Sequence, residues 1–273
     1  MSIYAPVYLA HWLAMENSPK KPIKRVDYNL VQHDVYAKGR ALPQAALQRY
    51  MDAFGRYLPA QRPLTVVDLG AGTGRFTPSL ADSVGGPVYG IEPADGMRRV
   101  AEAEAVHPHV RYLAGEATAI PLPSGSADFL LMFMSFHHVP DRVAAAGEIA
   151  RVLKPGGRVI LRSTFRDRIP DHWWRGYFSG SQAVEEAMFP SRAEACAVFQ
   201  AAGFSTVESV EMEIPFEGDL EVMVAQLRLR AVSTFEHMTD DELDEGFAQL
   251  DAALAAGTLE PKSTFGDFIV FGR

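Results

Sequence analysis

Two periods of apolar and polar residues alternate along this chain, and the changes from one to the other mark its elements. Short apolar runs bounded by turn residues read as strands at about 64–69, 87–92, 109–114, 127–134, 157–164, 205–214 and 265–271. Between them, apolar residues three and four apart predict helices near 43–58, 75–84, 94–105 and 141–153. On the first helix, Ala46, Leu47, Tyr50, Met51 and Phe54 share a face. Short, wholly apolar strands belong to sheets buried on both sides, and their alternation with helices implies parallel pairing. The expected class is therefore α/β: a doubly wound, mostly parallel sheet of seven strands.

Additions surround that unit. Residues 1–40 read as an N-terminal extension: a short amphipathic helix, the linker Lys20-Lys21-Pro22-Ile23-Lys24-Arg25, then a segment carrying Tyr28, Tyr36 and Arg40. Residues 41–273 read as the main domain, with cap elements at about 165–190 and 219–256. The first cap segment holds Trp173, Trp174, Tyr177, Phe178 and Phe189 among polar residues and predicts an irregular excursion over the sheet. Ser191-Arg192-Ala193-Glu194 and Thr239-Asp240-Asp241-Glu242 are capping boxes, and Gly203 and Gly257 are the expected helix stops. A helix is expected over about 219–235, and Leu243, Phe247, Leu250 and Leu254 form the buried stripe of the next.

Composition narrows the function. A net charge of −8 argues against a nucleic-acid partner, because binding phosphates needs a basic face. The single cysteine, Cys196, excludes an internal disulfide and fits a reducing compartment. No run approaches the roughly 20 apolar residues of a membrane span. The apolar N-terminal patch (Ile3, Tyr4, Val7, Tyr8, Leu9, Trp12, Leu13) has neither a preceding basic residue nor a cleavage site, so a cytoplasmic protein is expected. That arm is also a candidate for docking onto the protein's own body or onto a second copy in a homo-oligomer. No metal-ligand set is assigned.

The most informative segment is Asp68-Leu69-Gly70-Ala71-Gly72-Thr73-Gly74-Arg75-Phe76, which joins an apolar strand to a helix start. Glycines at alternate positions let the backbone turn tightly and approach a ligand, and the helix N-terminus behind them offers free N–H groups. A dinucleotide fingerprint would place the third glycine one residue later, which disfavours an NAD-dependent dehydrogenase. Further candidates follow each later strand: Glu92-Pro93, placed for the two hydroxyls of an adenosine ribose, then Gly115-Glu116-Ala117, where an acid can accept from an adenine amino group. Phe133-Met134-Ser135-Phe136-His137-His138-Val139 comes after strand four, and Leu153-Lys154-Pro155-Gly156-Gly157 introduces strand five.

In order and spacing, these motifs resemble the small-molecule branch of the class I S-adenosylmethionine (SAM) methyltransferases, which includes the ubiquinone and menaquinone C-methyltransferases. The resemblance is close over about 40–164. It implies a Rossmann-like methyltransferase fold with SAM as cofactor. Gly70, Gly72 and Gly74 would line the methionine portion, with Asp68 orienting its amino group. Glu92, Pro93, Met97, Glu116, Ala117 and Met134 complete the cofactor set. Arg40 meets the cofactor carboxylate in this reading, or is simply a surface arginine.

For catalysis, His137 and His138 are the candidate bases, since a histidine titrates in the useful range; at least one is expected to be structural. Tyr28, Tyr36, Arg162, Trp173, Trp174 and Tyr177 are the candidate acceptor-binding residues, the alternative being that the aromatics only pack the additions onto the sheet. Arg162, Arg166, Arg168 and Arg175, with His172, either hold a carboxylate or prenyl diphosphate or form local ion pairs. The expected function is methyl transfer to the carbon or oxygen of a small, largely apolar or aromatic metabolite, with no nucleic-acid partner. The rivals are an anionic acceptor, a SAM-binding fold that catalyses a cyclisation, and a non-catalytic SAM-binding module.

Overall fold

Wholly buried runs of valine, leucine and isoleucine build the centre of the protein, as its computed structural model shows for Tyr28 and residues 33–273. The amphipathic helix, the Lys/Pro linker and the docking of the N-terminal arm lie outside these described residues. The chain enters as α1 (His33–Gly39) and α2 (Gln44–Gly55), then β1 (Val66–Leu69), α3 (Thr77–Val84), β2 (Val88–Ile91), α4 (Asp95–Glu104) and β3 (Val110–Leu113). It continues as β4 (Ala127–Phe133), α5 (Arg142–Val152), β5 (Leu153–Arg162), α6 (Ser181–Met188), α7 (Arg192–Ala201), β6 (Ser205–Val210) and β7 (Glu213–Ile214). The last elements are α8 (Leu220–Arg228), α9 (Asp240–Ala255), β8 (Thr264–Phe265) and β9 (Phe268–Gly272).

Seven strands form one sheet in the order β3-β2-β1-β4-β5-β9-β6. All pairings are parallel except those of β9, which runs antiparallel to β5 and β6. Alternate side chains of a strand point to opposite faces. Thus Val67, Leu69, Leu130, Met132, Val159, Leu161 and Phe271 pack in one core with Ile149 of α5 and Val198 and Phe199 of α7. Val66, Phe129, Leu131, Ile160 and Phe268 pack in a second with Tyr50 and Phe54 of α2 and Leu80 of α3. The chain winds outward from β1 through β3 and returns to β4 on the other side of β1. The crevice beyond β1 and β4 is therefore the switch point, where ligands of open α/β sheets bind.

Both late strands differ from expectation. The run 205–214 divides into β6 and β7, and 265–271 into β8 and β9; β7 and β8 leave the main sheet and pair with each other. Asp267 causes the break. Its carboxylate, buried at 4% exposure, accepts from the Met212 N–H at 3.1 Å and from Arg168 Nε at 2.7 Å. An apolar pattern carries no signal of that arrangement.

The cap is more regular than an excursion. It contains α6, and Trp173, Trp174 and Phe178 join Val224, Leu227, Phe235, Leu243, Phe247 and Leu250 in a third core. The helix expected to reach 235 stops at Arg228, beyond which Arg230 adopts a left-handed φ of 53°. Both capping boxes form, at Ser191/Glu194 and Thr239/Glu242, and Gly203 and Gly257 take positive φ where the helices stop. Trp174 meets Phe235 and Phe178 edge-on at 5.4 and 5.9 Å. Trp174→Ala is expected to cost about 3–5 kcal/mol of stability, the scale for a core tryptophan. Urea unfolding would measure this, with SAM affinity unchanged; a stable variant with weakened SAM binding would contradict that placement.

Candidate cofactor and acceptor site

The carboxyl ends of β1 to β4 enclose a cavity of about 480 Å³. Gly70, Gly72, Glu92, Pro93, Met97, Glu116 and Ala117 form its β1–β3 side. Phe133, Met134, Ser135 and His138 form the β4 side, and Tyr28 and Tyr36 complete the wall. Tyr36 comes from α1, which packs against α4 and α8.

The three loop glycines all have positive φ, for three different reasons. A Cβ on Gly70 would lie 2.4 Å from that of Ser135, whose hydroxyl donates to the Leu69 carbonyl at 2.8 Å. A Cβ on Gly74 would lie 2.6 Å from that of Ala105 and 2.3 Å from the Tyr112 hydroxyl. Gly74 is thus a packing glycine and does not line the cavity, which corrects its expected place along the methionine portion. At Gly72 an added Cβ meets nothing within 4 Å, because that position faces the cavity itself.

Glu92 is buried at 7% exposure, at the end of β2. Its two carboxylate oxygens accept from the Gly72 and Ala94 N–H groups, each at 2.9 Å, and so fix the acid against the open side of the loop. Each oxygen has further acceptor capacity for a hydroxyl. Glu116, exposed at the rim, accepts from the Thr118 hydroxyl at 3.0 Å. A fixed acid beside an open glycine offers an acceptor and space to the two hydroxyls of an adenosyl ribose, so the residues present fit SAM. Glu92→Ala is expected to weaken SAM binding by about 1.5–3 kcal/mol, the scale of charge-assisted hydrogen bonds. An unchanged dissociation constant in calorimetry would show that this acid does not hold the ribose.

Asp68 does not line the cavity. Its carboxylate lies behind the loop, where Thr77 Oγ1 donates to it at 2.7 Å. Burial pushes its pKa up to about 6, opposed by Thr77 and by Arg75. The folded state therefore holds this proton more tightly than the unfolded one. The group's contribution to stability is greatest below about 4 and falls as pH rises to about 6. Asp68→Asn is expected to flatten stability against pH over that window, as thermal melts from pH 4 to pH 7 would show; an unaltered slope would exclude Asp68 as its source.

The two histidines part company. His138 lines the cavity, and its Nε2 lies 2.8 Å from the Tyr28 hydroxyl. His137 turns inward, between His138 at 3.9 Å and Phe189 at 4.7 Å between ring centroids. Neither His137 ring nitrogen has a hydrogen-bond partner among the described residues. Burial, with His138 and nearby arginines adding to it, holds its pKa well below the usual value. Burial also raises the Tyr28 hydroxyl well above the ordinary tyrosine range.

Arg40, Arg162, Trp173, Trp174 and Tyr177 lie off the cavity wall. Both tryptophans are in the cap core, with Tyr177 packed against it, while Arg162 ends β5 beneath Phe133. Sequence reasoning missed Phe133 as a wall residue, Ser135 as the brace under Gly70, and Arg75. Met134, between Phe133 and Ser135, carries a left-handed φ of 54°, a conformation that costs a non-glycine residue about 1–3 kcal/mol and that collects at functional sites. Nothing in a methionine's identity announces that conformation.

With this site goes a family. Residues 67–161 match the family described as "Methyltransferase domain". The chain belongs to the class I SAM-dependent methyltransferases, and SAM is its cofactor. Among its relatives is the demethylmenaquinone methyltransferase of Geobacillus stearothermophilus, 31% identical over 178 residues, which are 56% of this chain and 76% of that protein. The demethylmenaquinone methyltransferase of Lactococcus lactis is 37% identical over 112 residues, but the match spans only 44% of its length and 39% of this chain. In three dimensions the chain is similar to an Anabaena variabilis protein described as a methyltransferase from an antibiotic biosynthesis pathway, with a TM-score of 0.71 at 22% identity over 83% of this chain and 97% of that one. It is also similar in fold to the [4+2]-cyclase SpnF, with a TM-score of 0.62 at 16% identity over 90% and 94%.

Among the described residues, no helix is long and apolar enough to cross a membrane.

Proposed function

We propose that this protein transfers the methyl group of SAM to carbon or oxygen of a small, largely apolar or aromatic acceptor bearing an ionisable hydroxyl. One observation carries the reading: the Tyr28 hydroxyl and His138 Nε2, 2.8 Å apart, stand in the wall of the same cavity that Gly72 and Glu92 line. SAM supplies a methyl group already activated by its sulfonium charge, so the protein's task is to place the acceptor and take up a proton.

His138 is the proton's destination. The acceptor hydroxyl gives its proton to the Tyr28 oxygen while Tyr28 passes its own to His138 Nε2. The phenol stays neutral throughout, as its raised pKa requires. His137, buried and neutral, supports the His138 ring from behind. Phe133, Tyr36 and Val139 give the acceptor apolar surface and exclude water. In this reading the domain of residues 41–273 carries the cofactor loops, and Tyr28 and Tyr36 ahead of it complete the cavity wall.

The names of the relatives make a hydroxylated naphthalene the first acceptor to try. Release of demethylated cofactor, followed with 1,4-naphthoquinol and a panel of neutral phenols, tests the reading. Turnover of at least one is expected. Tight SAM binding with no turnover of any neutral hydroxylated aromatic would overturn the acceptor class.

A further inference from the structure

The arginines near this site are of two kinds. Arg166, Arg168, Arg175 and Arg192 each meet a carboxylate, on Glu194, Asp267, Glu185 and Asp167 respectively. These pairs stitch the loops under the cap and leave three of the four arginines first considered for an anion with structural work. Arg162 is different. Only 8% exposed, it forms no ion pair among the described residues. Its Nη2 donates to the Phe265 carbonyl at 3.0 Å, while its Nε is buried without a partner.

A second guanidinium group shares this region. Arg162 stands 4.9 Å from the centroid of Phe133, and Arg75 stands 5.3 Å from the same ring. Arg75 also donates to the carbonyl of Arg40. The Arg75 charge opposes the burial that raises the Asp68 pKa, but the Asp68 carboxylate accepts its hydrogen bond from Thr77. The combined positive field reaches several groups. Burial pulls Arg75 down to about 10, with Arg40 and Arg162 contributing. It takes His172 down to about 3, with Arg175, Arg40 and Arg162 contributing; Asp171 opposes this weakly from an exposed pair with Lys262.

A guanidinium buried without a carboxylate destabilises a fold. Arg162 is off the cavity wall but stands against Phe133, which lines it, so an anion held at that wall would face it. Position indicates the source. Phe133 lines the cavity from β4, and Arg162 ends β5; both lie across β1 from β2 and its Glu92. The unpaired charge is thus on the side away from the ribose site. The planar donor fork of arginine matches a carboxylate or phosphate.

We propose that Arg162, with Arg75 on the same Phe133 ring, forms an anion subsite next to the Phe133 wall, and that the acceptor carries an oxyanion group, carboxylate or phosphate, remote from the methylated atom. The inference rests on the methyl-transfer reading above. It adds an acidic group to the hydroxylated aromatic or apolar acceptor proposed there.

Calorimetry on protein saturated with S-adenosylhomocysteine, at fixed ionic strength, tests it with benzoate, phenyl phosphate and benzamide. At least one anion is expected to bind tenfold or more tightly than the neutral amide, and the better of the two assigns carboxylate or phosphate. Arg162→Met is expected to remove that preference while S-adenosylhomocysteine affinity stays within twofold. Arg162→Lys, which keeps the charge and loses the fork, is expected to retain part of it and serves if the methionine variant does not fold. Equal binding of amide and anions, or no binding of any, overturns the subsite. So does a loss of S-adenosylhomocysteine affinity in Arg162→Met that is absent with methylthioadenosine, since Arg162 would then hold the cofactor's own carboxylate. Failure of the unaltered protein to bind S-adenosylhomocysteine would instead refute the methyl-transfer reading, and is seen before any anion is added.

Discussion

Valine at position 72 is expected to abolish SAM binding and leave the fold standing, whereas valine at position 74 is expected to destabilise the protein. Both glycines have positive φ, 58° and 79°, so both substitutions carry backbone strain of about 1–3 kcal/mol. The difference lies in what the new side chain meets. At 72 it enters open cavity and fills the space beside Glu92. SAM affinity should fall at least 100-fold, about 2.7 kcal/mol. At 74 it strikes the Ala105 Cβ at 2.6 Å, and that methyl, at the end of α4, is fixed by its own backbone. Overpacking adds about 1–3 kcal/mol there, enough with the strain to lower Tm by roughly 5–15 °C. Thermal melts and calorimetry on the two variants separate the effects. Retained SAM affinity in Gly72→Val would place the cofactor elsewhere.

Removing the proton acceptor should have the largest effect on rate. His138→Ala is expected to lower kcat by about 10²–10⁴, the usual contribution of a positioned acid or base, with SAM affinity little changed. Tyr28→Phe should lower it less, because the phenol relays the proton and His138 remains to receive it through water. His137→Ala should instead lower stability, since that ring is packed between His138 and Phe189 and does not border the cavity. Equal kcat in His138→Ala and the parent protein would remove histidine from the mechanism and leave placement alone to account for catalysis.

The sheet's centre and the cofactor loops were legible because their signals are local. An apolar run such as Val66-Val67, short and followed by a glycine-rich turn, reads as a strand buried on both faces, and that turn announces close approach of a ligand. The readings that changed depend on partners distant in sequence. Asp267 falls inside the run 265–271 expected to be one strand, and only Met212 and Arg168 make it a buried junction. Gly72 and Gly74 are the same residue in the same loop, and only Ala105 and Tyr112 tell them apart. Trp173 and Trp174 had to be covered by something. Residues between Val224 and Leu259 decide that a cap core covers them and that the cavity lies elsewhere. Arg162 was singled out with three neighbours, and its lack of an ion pair emerges only once each neighbour has found a carboxylate.

The position of β9 between β5 and β6 sets an order of events during synthesis. Strands β1 to β5 emerge consecutively and pair with one another, so the cofactor end of the sheet can condense early. Strand β6 has no such opportunity: its partner follows only after the cap residues between them have been made. Until then β6 has no sheet edge to join, and the flank of β5 that β9 will pair stays open. The nascent chain is therefore most vulnerable to misassociation in that interval, and a pause in translation within the cap would prolong it.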